Sequence, residues 1–248
     1  MENKVNNEQD LCGNCRAELY GSYCSECGQK ANQPIAIKPI LNSVFEKTSE
    51  LDFRFVTLAK ALLTSPGRMI KEYLEGKRII YTHPIKALFY FATAYLIVFS
   101  LLDISIGFSG SSEKYGKAVV AIINYLVFVF LALTSFPFKW IYHKQKLNWA
   151  ESFVVLCYAW CGYLLLTTLI APISKLIPLH FEFSRLAIGA IYLIWVCKTL
   201  FKESWPLTVL KAVLTYIAYF VCTMLVMTVV IFFAYLFQYE PLMISLKQ

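Results

Sequence analysis

Four cysteines, Cys12, Cys15, Cys24 and Cys27, form two Cys-x-x-Cys pairs separated by eight residues. Each pair makes a turn that aims two sulfurs at one point, and two such turns complete the tetrahedral thiolate shell that zinc prefers. Four thiolates leave no open coordination position, so the zinc expected here is structural rather than catalytic. Two disulfides, a redox dithiol pair and rubredoxin-like iron are the alternatives, and a cytoplasmic setting argues against the first. Residues 17–23 are long enough for a short hairpin with Gly21 at its turn, and Gly28 permits a tight backbone after the last ligand. With only Leu11, Leu19, Tyr20 and Tyr23 as apolar mass, the segment cannot fold by burial. Structural zinc contributes about 10 to 16 kcal/mol in small finger peptides, so the metal-free ribbon is expected to be unfolded.

No other constellation points to a reaction. His83, His143 and His180 are scattered near the ends of apolar runs, outside any His-Glu-x-x-His or Gly-x-Ser-x-Gly setting, and the glycines show no nucleotide fingerprint. Asn124, and Cys157 with Cys161 beside Gly162, are polar or ligand-capable groups inside apolar runs. Such groups can line a solute path or bind metal, but more often they pack and hydrogen-bond between helices. Cys197 and Cys222 also lie in apolar segments, while Asp103 and Glu151 fall at segment ends where water reaches them. An enzyme is not expected.

The elements that must position the ribbon are dictated by composition. The chain is 58% hydrophobic and 16% charged, with its apolar residues in long runs that suit hydrocarbon better than a soluble core. The expected architecture is an all-α polytopic membrane protein with about five transmembrane helices. These lie near 85–102, 118–138, 152–172, 185–201 and 207–237, within a membrane region 85–248. Arg185–Phe201 is the weakest because of Lys198, which can snorkel from a terminal turn; Pro206 is expected to start the last helix, with Lys211 among headgroups.

Before the first span come a polar tail (1–10), the ribbon (11–30), a linker (31–36) and an amphipathic basic segment (37–84). Three helices are expected in the last: one carrying Ile40, Leu41, Val44, Phe45 and Leu51, one carrying Phe55 to Leu63, and one opened by Ser65-Pro66-Gly67 and closed by Gly76. The third has a stripe of Met69, Ile70, Tyr73 and Leu74 that can either lie in the headgroup layer or pack on the bundle. From Phe53 to Lys86 there are seven basic residues against two acidic ones. Arg68, Lys71, Lys77 and Arg78 are thus placed to meet anionic lipid headgroups, and the net charge of +7 is read as membrane contact rather than nucleic-acid binding. No signal peptide opens the chain, and the Lys and Arg distribution puts the N-terminus in the cytoplasm and the C-terminus outside.

The order Cys27-Gly28-Gln29, Phe55-x-x-Leu58, Pro66-Gly67, Tyr73-x-x-Gly76-Lys77-Arg78 and Tyr81-x-x-Pro84, followed by membrane helices, resembles the bacterial domain-of-unknown-function 3667 family over residues 12–95. The resemblance implies an inner-membrane protein and supplies no activity. The role expected is a non-enzymatic scaffold or regulator whose cytoplasmic zinc ribbon docks a protein partner. The alternative is a small transporter or channel subunit with a regulatory ribbon, as a homo-oligomer.

Overall fold

Long apolar runs fold as helices because an α-helix satisfies its own backbone hydrogen bonds where water is absent. The computed structural model describes residues 11–31, 53–104, 113–174 and 181–236. After the ribbon, seven α-helices follow among these residues: α1 (Phe53–Thr64), α2 (Pro66–Leu74), α3 (Pro84–Leu101), α4 (Glu113–Ile141), α5 (Trp149–Ser174), α6 (Phe181–Phe201) and α7 (Trp205–Leu236). Four of them, α3, α5, α6 and α7, are long and apolar enough to cross a membrane. The remaining expected span, 118–138, falls within α4, whose 29 residues run from Glu113 to Ile141; its described side chains are apolar over Leu126–Ile141. The helix expected around Ile40–Leu51 and residues 32–36 of the linker lie outside the described residues.

Helix α5 is the hub. Of its most apolar window 61% is buried, against 6% for α7, and it packs against α1, α2, α3, α4 and α6. Cys157 and Cys161 are buried on it, in the packing role that is commonest for such residues. Beside them Gly162 leaves room for the ring and hydroxyl of Tyr192 from α6, which come within 1.9 Å of where a Cβ would stand. Tyr192 then reaches past α5 to donate a hydrogen bond to the Leu62 carbonyl of α1 at 3.0 Å. Asn148 and Glu151 exchange reciprocal backbone-to-side-chain bonds of 2.8 Å at the start of α5, a capping box in which Asn replaces the usual Ser or Thr. Glu151 thus has a capping role.

The short helices α1 and α2 settle against this bundle. Leu58 and Leu62 are buried, and so are Met69, Ile70 and Tyr73. The stripe of α2 therefore faces protein, the second of the two placements its pattern allows. Gly67 seats α2 directly on the last turn of α6, where a Cβ would fall 2.5 Å from the Leu200 amide nitrogen. Ser65 occupies the N-cap position but makes no side-chain capping bond; Pro66, at the first helical position, carries the start alone. Gly76 ends the helix at φ +111. Its N–H bonds the Tyr73 carbonyl at 3.2 Å and that of Lys77 bonds the Glu72 carbonyl at 2.9 Å, the Schellman pattern that favours glycine.

The turns following α4 and α6 are tied together by charge. Lys211, on α7, is buried and pairs with Glu203 at 2.6 and 2.8 Å. Glu203 also accepts from the Gln145 amide at 3.0 Å. The carboxylate of Glu203 and the ring of Tyr142, 5.0 Å away, surround the Lys211 ammonium. Lys198 turns back onto the Glu203 carbonyl, the terminal-turn arrangement expected for it.

Candidate metal centre

The two cysteine pairs form two copies of one turn, twelve residues apart. In the first, the Arg16 N–H bonds the Cys12 carbonyl at 2.8 Å and the Cys12 N–H bonds the Ala17 carbonyl at 2.8 Å; in the second, Gly28 bonds Cys24 at 2.9 Å and Cys24 bonds Gln29 at 2.8 Å. Each turn is closed by an antiparallel bridge, Leu11 with Glu18 and Tyr23 with Lys30. The hairpin expected across residues 17–23 is replaced by these two bridges: each Cys-x-x-Cys turn reverses the chain on itself, so pairing occurs within a turn rather than between turns. Gly21 has open space around it and no left-handed backbone. Gly28 adopts φ +70 as its position requires, and Arg16 adopts φ +65 at the equivalent place in the first turn.

The four sulfurs converge. Their Sγ atoms all lie within 4.8 Å of one another, with Cys12 to Cys27 at 3.6 Å and Cys15 to Cys24 at 3.5 Å. A tetrahedron of Zn–S bonds of about 2.3 Å has edges of roughly 3.8 Å. The geometry is therefore compatible with a thiolate-bound metal, and all four cysteines are unpaired by disulfide. Backbone N–H groups of Ala17 and Gln29 point at Cys15 and Cys27, donors that would support thiolate charge. The donor set of four sulfurs suits zinc or iron.

Gln29 fastens this centre to the helices. Its side chain is 7% exposed; the amide nitrogen donates to the Gly76 carbonyl at 2.7 Å and the amide oxygen accepts from the Arg78 N–H at 3.2 Å. Both partners are backbone groups of the loop that closes α2. The loop is in turn held by Glu72, which accepts from the Tyr81 hydroxyl at 2.8 Å and pairs with Lys77 at 3.2 Å.

The Tyr81 hydrogen bond, aided by Lys77 and Arg68, holds the Glu72 carboxyl below the usual carboxylate range. A lowered folded-state pKa means that this stabilisation is complete above the ordinary glutamate value and fades as pH falls through the folded value. Glu72→Gln is thus expected to lower stability by about 1 kcal/mol at neutral pH. The difference in thermal midpoint between the two proteins should shrink on acidification from pH 7 to 4; a constant difference would contradict the assignment.

Residues 52–96 match a family model described as protein of unknown function (DUF3667). No curated protein and no solved structure matches the chain. The DUF3667 match covers α1, α2 and the first part of α3, and several residues within it have a clear physical task. Phe55 packs its ring against Phe91 of α3 at 4.6 Å, Leu58 is buried, and Gly67 and Gly76 make the close approach and the helix stop already described. Tyr73 meets Tyr158 edge-on at 5.2 Å, and Tyr158 donates to the Thr82 carbonyl at 2.8 Å. The ribbon lies outside the matched residues, yet Gln29 is bound to the 76–78 loop within them.

The other candidates stay apart from this centre. His83 flanks the start of α3; burial, with Lys86 and Arg78 nearby, pushes its pKa down to about 4, so it is neutral at physiological pH. His143 bonds the Trp140 carbonyl at 3.0 Å, and Asp103 is exposed at the end of α3. His180 and the side chain of Asn124 lie outside the described residues. The sequence shows Gln29 only as part of the Cys27-Gly28-Gln29 order, without its contact, and does not single out Glu203. The recurrence of Cys-x-x-Cys at a twelve-residue offset could have marked Gln29 as equivalent to Ala17, a long amide where its counterpart is small.

Proposed function

We propose that the chain is a non-enzymatic membrane scaffold whose zinc ribbon presents a docking surface to a protein partner. What supports this reading is the combination of a firmly seated ribbon with outward aromatic side chains. Gln29 is buried against the 76–78 loop, whereas Tyr20 is 88% and Tyr23 63% exposed. Tyrosine supplies large contact area at low entropic cost, and a fixed platform lowers the ordering cost of binding further. Zinc is the ion assigned to the four thiolates.

The ribbon is placed on the cytoplasmic face of a bacterial inner membrane, with the C-terminus outside. Arg68 and Lys71 are exposed on α2, opposite its buried stripe, where anionic headgroups can reach them. Lys77 is half-buried on Glu72, and Arg78, also half-buried, lies on the same loop; these two are the inner members of the proposed lipid contact.

Crosslinking and affinity capture from membranes test the docking role. A Tyr20→Ser, Tyr23→Ser double variant should keep its bound zinc and its membrane insertion while losing, by tenfold or more, on the order of two hot-spot side chains, the partner recovered with the wild type. An unchanged partner list with zinc retained would overturn the docking surface.

A further inference from the structure

Away from the ribbon, the bundle contains a cavity of about 340 Å³ between α3, α4, α5, α6 and α7. Its wall runs from Leu156 to Leu164 on α5, from Arg185 to Leu193 on α6 and from Thr215 to Thr223 on α7; each stretch is roughly 12 Å of helix axis. Because Gly162 meets Tyr192 and Gly189 meets Tyr163, α6 runs antiparallel to α5. Arg185 therefore stands at the Leu164 end of the cavity, remote from the ribbon.

Several polar groups along the wall are engaged in hydrogen bonds within the bundle. Thr134, Thr215 and Thr223 donate to carbonyls of their own helices at 2.7, 2.9 and 2.8 Å. The Tyr192 hydroxyl is bonded to Leu62 at 3.0 Å and that of Tyr216 to Leu186 at 3.2 Å. The rest of the lining is mainly hydrocarbon and aromatic surface, with Tyr95, Trp160, Tyr163 and Tyr219 adding polar edges. Arg185 is the one charged residue among those lining the cavity, and its guanidinium lies 6.0 Å from the Tyr95 ring and 5.9 Å from that of Phe99. Arg185 lies near the start of α6, at the edge of the apolar stretch that runs from Ser184 to Phe201. Its planar fork matches the oxyanions of carboxylate and phosphate.

We propose that this cavity binds a single-chain anionic amphiphile, with its oxyanion headgroup at Arg185 and its acyl chain along the α4, α5 and α7 wall. One charge at one end of a largely apolar chamber is the complement of such a molecule. A carboxylate and a phosphate monoester share this chemistry, and the experiment separates them.

The full-length protein in phosphatidylcholine nanodiscs is photolabelled with a palmitate analogue carrying a diazirine in its chain. Labelled peptides should come from α4, α5 or α7. Unlabelled palmitate or palmitoyl lysophosphatidate should compete, the stronger of the two naming the headgroup, while hexadecanol should compete at least tenfold more weakly, about the worth of a charge-assisted hydrogen bond. Arg185→Gln should reduce labelling about tenfold and Arg185→Lys much less. Ala159→Phe, which fills the chamber from α5, should abolish it. Hexadecanol competing as well as palmitate, or label confined to peptides outside the cavity, would overturn the proposal. Both readouts use the wild-type protein, so they decide even where Arg185→Gln fails to fold.

Discussion

Cys24→Ser protein should purify without stoichiometric metal and with residues 11–31 unfolded, while the helices keep their membrane-embedded fold. Cys24 is buried at the start of the second turn, and its sulfur is one of four within 4.8 Å. Apart from the cysteines, the apolar side chains of the described ribbon that resist solvent are few: Leu11, Tyr20 and Tyr23 are all exposed. Removing the metal thus removes nearly everything that opposes chain entropy, a loss on the order of 10 kcal/mol for a small structural zinc site. Hydrogen exchange gives the second readout. The Arg78 amide, bonded to Gln29, should lose protection together with the ribbon, while amides in the middle of α5 should not. Full metal content in the variant would refute the four-thiolate site.

Gly67→Ala should be nearly as disruptive although it adds one methyl group. The new Cβ would stand 2.3 Å from Thr199 Oγ1, 2.5 Å from the Leu200 nitrogen and 2.6 Å from the Thr199 carbonyl carbon. A hydroxyl can rotate away, but the backbone of α6 cannot, so α2 must lift from its seat. Overpacking of this kind costs up to about 3 kcal/mol, and here it would carry Met69, Ile70 and Tyr73 out of the core with the helix. The expected result is a large fall in thermal midpoint and lost protection at residues 76–78. Gly21→Ala, with nothing within 4 Å of the added atom, is the matched control and should be neutral. Equal midpoints for the two alanine variants would show that α2 is not seated as described.

What could be read directly from residue types was what depends on side-chain chemistry or on periodicity. The cysteine spacing announces its own geometry, and apolar runs announce helices. The stripe on α2 was visible, but a stripe carries no information about what it faces, and only the position of α6 decides that it meets protein. Gln29 was opaque for a sharper reason: its partners are a carbonyl and an amide of the backbone, which any residues at 76 and 78 would present. The glycine at 67 could be recognised as part of a helix start, whereas its contact with Thr199 and Leu200 depends on two segments more than a hundred residues apart. Glu203 and Lys211 could be counted as interfacial charges, but their pairing requires the α6–α7 turn to be built first.

The bond between Gln29 and Gly76 also sets an order of events in time. The two residues are 47 apart in the chain, so at about 5 to 20 residues per second the ribbon is made roughly 2 to 10 s before its seat. During that interval it has no helix to lean on. A metal-stabilised segment whose apolar side chains face water would acquire its ion while still tethered to the ribosome or wait unfolded. If a metal holds the four thiolates, its supply during synthesis would govern whether the ribbon is folded when the first apolar helix emerges.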